Sequence, residues 1–293
     1  MSEQIIRIAT AELSAEINPL GAELWALADG EGRALMWNGD AAWWPGRAPL
    51  LFPVVGGLVD GRYRLDGQTF ELPRHGFARR KTFEVVEHGP TVATFRLTDD
   101  AETRAVYPFA FALTVRFEVS GARLTQTVEI ANRDERPMPA SLGFHPAFLW
   151  PLPYGAGREA HRIVFEKNEP APVRGLGSDG QIAREPFPTP VEGDVMRLHD
   201  GLFEHDTVVF DVLESRSLRY GAERGPQLEI GFEGLPHLGV WTKPGAPYIC
   251  IEPWCGFADE SGFAGDLREK PGVFDVTPGS SKTFAMSIAL TNA

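Results

Sequence analysis

This chain of 293 residues has few basic side chains, few cysteines and no long hydrophobic run. Its 28 lysines and arginines are outnumbered by 40 aspartates and glutamates, which gives a formal net charge of −12. Because nucleic acids and anionic membranes attract positively charged proteins, we expect neither as a partner. No stretch approaches the roughly 20 apolar residues of a membrane-spanning helix. Residues 1–7 also lack the layout of a signal peptide, so we predict a cytoplasmic protein.

The two cysteines, Cys250 and Cys255, are predicted to be free thiols. They lie five positions apart in a segment that looks extended, so their side chains would point to opposite faces of a strand. That arrangement disfavours a disulfide, and reduced thiols fit a reducing compartment. Neither paired-cysteine nor His-x3-His zinc spacing occurs. We therefore predict no metal site.

Motifs of two common enzyme classes are also missing. The glycine pair at residues 56–57 is not followed by the Lys-Ser/Thr of a phosphate-binding loop. No Gly-x-Ser-x-Gly elbow of a serine hydrolase is present. Neither a nucleotide-binding site nor a serine nucleophile is favoured.

Alternating apolar and polar residues are the commonest pattern in the chain. They predict two strands, at 109–119 and 124–130, joined by a hairpin link at 120–123. Further strands are predicted at 68–72, 91–97, 207–213, 228–232, 248–252 and 284–290. No window carries a helical apolar stripe of the length that a stable helix needs.

These patterns predict an all-β protein, a sandwich or a barrel, with residues 1–293 as a single domain. The 31 glycines and 24 prolines fit a chain with many turns. Residues 154–196 are rich in proline, glycine and glutamate. We expect them to form long, irregular surface loops, with a domain boundary there as the alternative.

Glu252 is the first candidate for chemistry. It follows the apolar segment 248–251 and lies close to Trp254. Burial beside these groups would raise the pKa of the carboxyl towards the range of a general base. The alternative is a surface glutamate where a strand meets a proline-led loop.

Two histidines occur in apolar or glycine-rich segments. His145 lies in Gly-Phe-His-Pro-Ala-Phe at 143–148, and His75 in Arg-His-Gly-Phe-Ala-Arg at 74–79. Apolar neighbours of His145 and arginines beside His75 both favour the neutral imidazole. A core histidine and a solvated turn are the respective alternatives. Two imidazoles and one carboxylate are what proton transfer to and from a neutral substrate requires.

Two further residues could contact a ligand. Asp206 precedes a predicted strand and could either reach into a pocket or cap a turn. Arg47 is the one base of an aromatic, proline-rich loop. It could orient a hydroxyl or an anion, or stack on Trp43 or Trp44.

Taken together, these segments resemble the aldose 1-epimerase (galactose mutarotase) superfamily, and in particular its bacterial branch of lactose-operon X-type proteins. The similar segments follow the family order over almost the whole chain: 18–24, 35–37, 43–44, 49–56, 75–79, 143–148 and 252–256. The resemblance implies a large antiparallel β-sandwich of the galactose mutarotase type, with a sugar groove on one sheet. It also implies interconversion of the α and β anomers of a free sugar without a cofactor.

The resemblance assigns roles to the candidate residues. Glu252 would take the proton from the anomeric hydroxyl, and His145 would protonate the ring oxygen. His75 would form a hydrogen bond near that oxygen. Arg47 and Asp206 would hold sugar hydroxyls, and Trp254 or Phe148 would supply an apolar face for the sugar ring.

The identity of the sugar stays open at this point. Residues following Arg47, His75 and His145 differ from those of well-known galactose mutarotases, at positions that grip individual hydroxyls. The 75–79 motif is also shared with hexose-6-phosphate epimerases. Basic side chains could therefore recognise a phosphate, sulfonate or carboxylate on the sugar; they are Arg47, Arg74, Arg79 and Lys243.

Two other classes of protein remain alternatives. One is a non-catalytic carbohydrate-binding protein, for which aromatic platforms would suffice. The other is a glycoside hydrolase, which usually needs two carboxylates about 5–9.5 Å apart, and only Glu252 with Asp206 would qualify. In every case we expect a monomer or a homodimer that binds a small sugar.

Overall fold

Antiparallel β-strands form nearly all of the regular structure in the computed structural model, which describes residues 4–177 and 179–292. Part of the N-terminal stretch 1–7 thus lies outside the described residues. The strands, in chain order, are β1 (Ile6–Ala9), β2 (Leu13–Asn18), β3 (Glu23–Asp29), β4 (Leu50–Leu51), β5 (Arg62–Leu65), β6 (Gln68–Glu71), β7 (Glu84–His88), β8 (Val92–Thr98), β9 (Phe111–Ser120), β10 (Arg123–Asn132), β11 (Met138–Ala140), β12 (Leu142–Phe144), β13 (Ala147–Leu149), β14 (His161–Phe165), β15 (Val191–Glu192), β16 (Val195–Arg197), β17 (Val208–Phe210), β18 (Ser217–Ala222), β19 (Gln227–Glu233), β20 (His237–Trp241), β21 (Tyr248–Cys255), β22 (Phe274–Val276) and β23 (Ser281–Thr291).

Two large sheets organise these strands. One has ten strands in the order β15-β16-β14-β18-β19-β23-β10-β9-β8-β7, and the other has the order β17-β20-β21-β12-β4, with β13 also paired to β21. Buried side chains of both sheets, such as Val115 and Val128 from the first and Leu238 and Ile251 from the second, belong to one hydrophobic cluster. The mostly β, antiparallel fold is therefore confirmed.

The hairpin β9–β10 shows how the alternating pattern produces this core. Ser120 pairs with Arg123, so Gly121 and Ala122 form a two-residue turn, and Gly121 takes a positive φ of 55° there. On β9 every second side chain from Phe111 to Val119 is buried. The other strands predicted from alternation are confirmed too, with ends shifted by a few residues.

One short α-helix, α1 (Ala101–Val106), contradicts the expectation of no helix. It has six residues, too few to show an apolar stripe, and it is stabilised at its start instead. The Asp100 side chain accepts a hydrogen bond from the Thr103 N–H (2.7 Å), and the Thr103 hydroxyl accepts one from the Asp100 N–H (2.8 Å). Among the described residues, no helix is both long and apolar enough to cross a membrane.

The prediction that residues 154–196 form surface loops is partly wrong. This segment contains β14, which pairs with β16 and β18 inside the ten-stranded sheet. Ile163 and Phe165 of β14 are buried in the core, whereas the neighbouring Val164 interrupts the simple apolar–polar alternation. The irregular part between β14 and β15 also buries Ile182, which lines the cavity described below.

Candidate active site

A cavity of about 190 Å³ opens beside the sheet that contains β21. Pockets for drug-sized ligands usually measure about 300–1,000 Å³, so this cavity suits a molecule no larger than a monosaccharide. Seven of the residues named from the sequence line it: His75, Arg74, Arg79, His145, Asp206, Glu252 and Trp254. The fold thus brings together side chains from four distant parts of the chain.

His145 and Glu252 meet directly in this cavity. The Nε2 atom of His145 lies 3.2 Å from Oε2 of Glu252, and both residues are buried, with 7% and 1% exposure. Glu252 projects from β21, and His145 lies between β12 and β13, which both pair with β21. Strand pairing therefore creates the contact between an acid and a base that are far apart in sequence.

Burial shifts both groups towards their neutral forms. It raises the pKa of Glu252 well above its usual value, and the negative charge of Asp206 acts in the same direction, while Arg74 and Arg79 oppose it. Burial likewise lowers the pKa of His145 to about 3, with a further contribution from Arg79. A neutral acid–imidazole pair is the form that this low-dielectric setting favours.

His75 is held in a tight turn next to this pair. Its φ is +67°, and it exchanges hydrogen bonds with Gly56: the His75 N–H donates to the Gly56 carbonyl (2.9 Å), and the Gly56 N–H donates to Nδ1 of His75 (3.1 Å). The following Gly76 has no room for a side chain, because a Cβ there would lie 2.2 Å from the Phe52 carbonyl oxygen. With Nδ1 accepting, the neutral ring carries its proton on Nε2.

The imidazole of His75 stays neutral for electrostatic reasons. Burial lowers its pKa well below the usual value, and His145 and the nearby arginines add to this effect. The rings of His75 and His145 meet edge to face, with centroids 5.7 Å apart. His75 is therefore suited to donate a hydrogen bond rather than to carry a positive charge.

Three charged side chains complete the polar part of the cavity. Asp206 lies in a turn with φ +63°, and its Oδ1 accepts a hydrogen bond from the Thr207 hydroxyl (2.9 Å). Arg74 donates to the Gly180 carbonyl (3.3 Å). Arg79 has neither a hydrogen bond nor an ion pair with any residue in the ranges that the structure describes, although burial lowers its pKa. Its guanidinium is thus available to a ligand.

Comparison with known proteins supports a specific family. The profile of the Aldose 1-epimerase family matches residues 4–286. The chain belongs to the aldose 1-epimerase family. Membership of this family implies a sugar as the substrate.

Both sequence relatives and solved structures match almost the whole chain. Aldose 1-epimerase family relatives include the chromosomal protein LacX of Lactococcus lactis subsp. lactis, which is 29% identical over 98% of this chain and 99% of its own. A galactose mutarotase related enzyme from Lactobacillus acidophilus is 28% identical and superposes with a TM-score of 0.89 over 99% of this chain and 98% of that one. A galactose mutarotase-like protein from Lactobacillus casei is 27% identical, with a TM-score of 0.91 over 98% and 100%.

Two basic residues predicted to bind the sugar do not line the cavity of this aldose 1-epimerase family member. The Arg47 guanidinium lies 3.9 Å from the ring centre of Trp25 and donates to the Trp25 carbonyl (2.8 Å). The Lys243 ammonium donates to the carbonyl of Trp43 (3.0 Å). These positions give no support to a substrate-binding role for either residue.

Trp254 forms one apolar wall because two neighbouring strands offer glycines opposite it. A Cβ at Gly239 or Gly143 would lie 2.4 Å or 2.6 Å from the indole. No residue in the described ranges lies in hydrogen-bonding geometry to its Nε1, although this N–H still lowers the pKa of the nearby Glu252. The indole is therefore fixed by packing, with its N–H close enough to Glu252 to affect that carboxyl.

Other lining residues were not assigned to the site from the sequence. Trp44 was considered only as a stacking partner of Arg47, and Trp241, Leu176 and Ile182 had no signal in the sequence. Their positions depend on loops whose paths local patterns do not predict.

Three atoms of types that bind metals lie close together at or beside the cavity. The side chains of His145, Cys250 and Glu252 each place one such atom within 4.8 Å of the others. A divalent ion there would have to displace the protons of two groups whose pKa values burial raises, those of Cys250 and Glu252. Arg74 and Arg79 would also repel it. The chemistry of this set therefore favours proton transfer over metal binding.

Proposed function

We propose that the protein is an aldose 1-epimerase that interconverts the α and β anomers of a free hexose or hexose derivative. The observation that carries this proposal is the buried contact of 3.2 Å between His145 and Glu252 in a cavity of monosaccharide size. Anomer exchange needs one group at the anomeric hydroxyl and another at the ring oxygen. Because both oxygens are bonded to the same carbon, the acid and the base must be close neighbours, as these two side chains are.

The proton balance of the pair suits this reaction. The neutral pair, Glu252 carboxylic acid with His145 imidazole, differs from the pair of carboxylate and imidazolium only by the position of one proton. Transfer of that proton within the pair produces the reactive form without exchange with solvent. The resting state favoured by burial is thus one step from the catalytic state.

In the proposed reaction Glu252 carboxylate takes the proton of the anomeric hydroxyl while His145 imidazolium gives its proton to the ring oxygen. The bond between C1 and the ring oxygen breaks, and C1 becomes a carbonyl carbon. Rotation about C1–C2 then presents the other carbonyl face. Ring closure reverses both proton transfers, so the pair returns to its starting state. Each positioned proton transfer typically contributes about 10²–10⁴-fold.

Neighbouring groups would orient the sugar. The Nε2–H of His75 would donate to the ring oxygen or to an adjacent hydroxyl, because Nδ1 already accepts from Gly56. Asp206 would accept from a hydroxyl, and Trp254 would offer its ring to an apolar face of the sugar. These roles combine orientation with the exclusion of water.

Exchange spectroscopy on a panel of anomerically pure sugars tests the proposal. The wild-type protein should equilibrate at least one sugar faster than the double variant Glu252→Gln, His145→Asn. If no sugar equilibrates faster with the wild type, the protein is not an epimerase. Sugar binding that persists without exchange would then favour a non-catalytic carbohydrate-binding protein.

An acidic sugar is a second candidate for the substrate. It is favoured by the unpaired Arg79 guanidinium and by Arg74, which line the same small cavity. A phosphate, sulfonate or carboxylate of the sugar would supply the missing partner.

Replacing Arg79 separates the two candidates. If the substrate is acidic, Arg79→Gln should raise KM for the anionic sugar by about ten- to a hundredfold and change KM for the neutral parent sugar much less. The control is Arg224→Gln, since Arg224 is exposed and outside the cavity. Equal effects of Arg79→Gln on both sugars would exclude recognition of an anionic group by this residue.

A further inference from the structure

The imidazole of His145 lacks a second hydrogen bond. Its Nε2 faces Glu252, while Nδ1 is buried and has no hydrogen-bond partner in the described part of the chain. Histidines that transfer protons usually have the other ring nitrogen bonded, which sets the ring orientation. The orientation of His145 must therefore come from other contacts.

The aromatic ring with its centroid closest to that of His145 is Trp44. Its indole stacks on the His145 ring, with centroids 5.0 Å apart and planes inclined by 22°. Trp241 supports the stack from the side: its ring meets Trp44 edge to face at 5.7 Å and His145 at 6.3 Å. Together with His75 on another edge, these rings restrict rotation of the imidazole.

The Trp44 backbone is itself well fixed. Its N–H donates to the Asp40 carbonyl (3.0 Å), and its carbonyl accepts from the indole N–H of Trp37 (2.8 Å). Gly46 lies directly against the Trp44 ring, where a Cβ would come within 2.4 Å of the indole. These contacts restrict the conformation of the Trp44 side chain.

Arg47 and Lys243 stabilise the segment 43–47, which is called the Trp44 loop below. Lys243 donates to the carbonyl of Trp43 (3.0 Å), and Arg47 is held by the Trp25 carbonyl and ring. The Arg47 carbonyl in turn accepts from the N–H of Ala147, two residues after His145. The two basic residues outside the cavity therefore connect the Trp44 loop to the rest of the site.

We propose that Trp44 is a positioning residue, whose stacked indole holds the His145 imidazole in line with Glu252 and with the bound sugar. This inference rests on the proposed function only for its catalytic consequence. The orientation and environment of His145 can be measured without a substrate.

Removing the indole should change the environment of His145 as well as its position. Burial is the largest cause of its low pKa, so water admitted beside the ring would raise that pKa towards the usual 6.5. The titratable and charged groups around the ring stay in place in a Trp44 variant; they are Glu252, His75, Cys250, Asp206, Arg74 and Arg79. A shift would therefore report the loss of the stack.

The experiment compares Trp44→Leu, Trp44→Phe and the control Trp43→Leu. Trp43 belongs to the same loop, but its ring lies near Gly245 and does not line the cavity. Anomer exchange gives kcat and KM, and NMR titration of the histidine ring protons gives the pKa of His145. Trp44→Leu should lower kcat by about ten- to a hundredfold, the range expected for a misplacement of about 1 Å, with a smaller change in KM.

The same variant should raise the pKa of His145 by at least about one unit. Trp44→Phe should restore most of kcat because it restores an aromatic stack, and Trp43→Leu should behave as the wild type. If Trp44→Leu raises KM alone, with kcat and the His145 titration unchanged, Trp44 contacts only the sugar and the inference is wrong. Should the wild type exchange no sugar, the proposed function fails, and the NMR titration alone still decides whether Trp44 positions His145.

Discussion

Two buried carboxylates on the same side of the molecule have opposite surroundings. Asp259 accepts hydrogen bonds from the Lys270 ammonium (2.6 Å) and from the Val59 N–H (2.8 Å), and the side chains of Asp259 and Lys270 are both buried. Glu252, which is equally buried, lies within 4 Å of one basic side chain among the described residues, the His145 imidazole at 3.2 Å. The two carboxylates are thus buried to a similar degree, but Asp259 has a complete set of hydrogen-bond partners and Glu252 an incomplete one.

The difference indicates which carboxylate is structural. A buried ion pair with all its hydrogen bonds made holds its surroundings in place, and breaking it is costly. Asp259 fixes the segment that includes Gly57, whose carbonyl accepts from the Asp259 N–H (2.9 Å), next to the Gly56 that bonds His75. A carboxyl with few partners in a cleft is instead free to exchange a proton with a ligand.

Glu252→Gln should show the largest effect, and it should fall on the reaction. The amide has nearly the same shape but cannot accept the anomeric proton, so kcat should decrease by about 10²–10⁴-fold. The melting temperature should not fall, because the buried carboxyl already favours its neutral form. Exchange spectroscopy and thermal unfolding measure the two quantities. A sharply lower melting temperature would show that Glu252 is structural after all.

Lys270→Met should show the reverse pattern. It leaves Asp259 buried without its cation, so the free energy of unfolding should decrease by about 3–5 kcal/mol. At a temperature where the variant is folded, kcat should change far less than in Glu252→Gln. Urea unfolding followed by kinetics at low temperature checks both, with Lys167→Met, at an exposed lysine, as the control. A variant as stable as the wild type would remove the contrast between the two carboxylates.

The pH dependence of stability should show the smallest effect. The pKa of Glu252 is raised in the folded state above its usual 4.5. The stability that comes with its neutral form is therefore fully present below pH 4.5 and is lost as the pH rises through the folded pKa. Gln at this position does not titrate, so the melting temperature of Glu252→Gln minus that of the wild type should grow from pH 4.5 to pH 8.

Exposed glutamates supply the reference for this measurement. Glu12→Gln should give a difference from the wild type that stays nearly constant over the same pH range, since Glu12 is exposed. A constant difference for Glu252→Gln as well would mean that Glu252 ionises normally in the folded protein. In that case its burial would not be what prepares it for proton transfer.

Sequence patterns predicted much of the sheet structure because alternation is a local property. The side chains of β9 and β10 follow the period of two that any half-buried strand imposes. The sequence patterns missed two elements that lack a local signal. One is α1, which depends on a capping box, and the other is β14, where Val164 breaks the alternation. For the site, Asp206, Arg79 and Trp254 line the cavity as the sequence suggested, whereas Arg47 and Lys243 do not.

By itself, the sequence determined that the chain forms antiparallel strands, which segments contain imidazole and carboxylate groups, and which family these segments resemble. Only the tertiary structure decided that His145 and Glu252 touch, that Trp44 covers the imidazole, and which arginines face the cavity. The physical reason is that strand formation depends on neighbours along the chain. Contacts and pKa shifts instead depend on the pairing of β21 with β12 and β13 and on the burial that results.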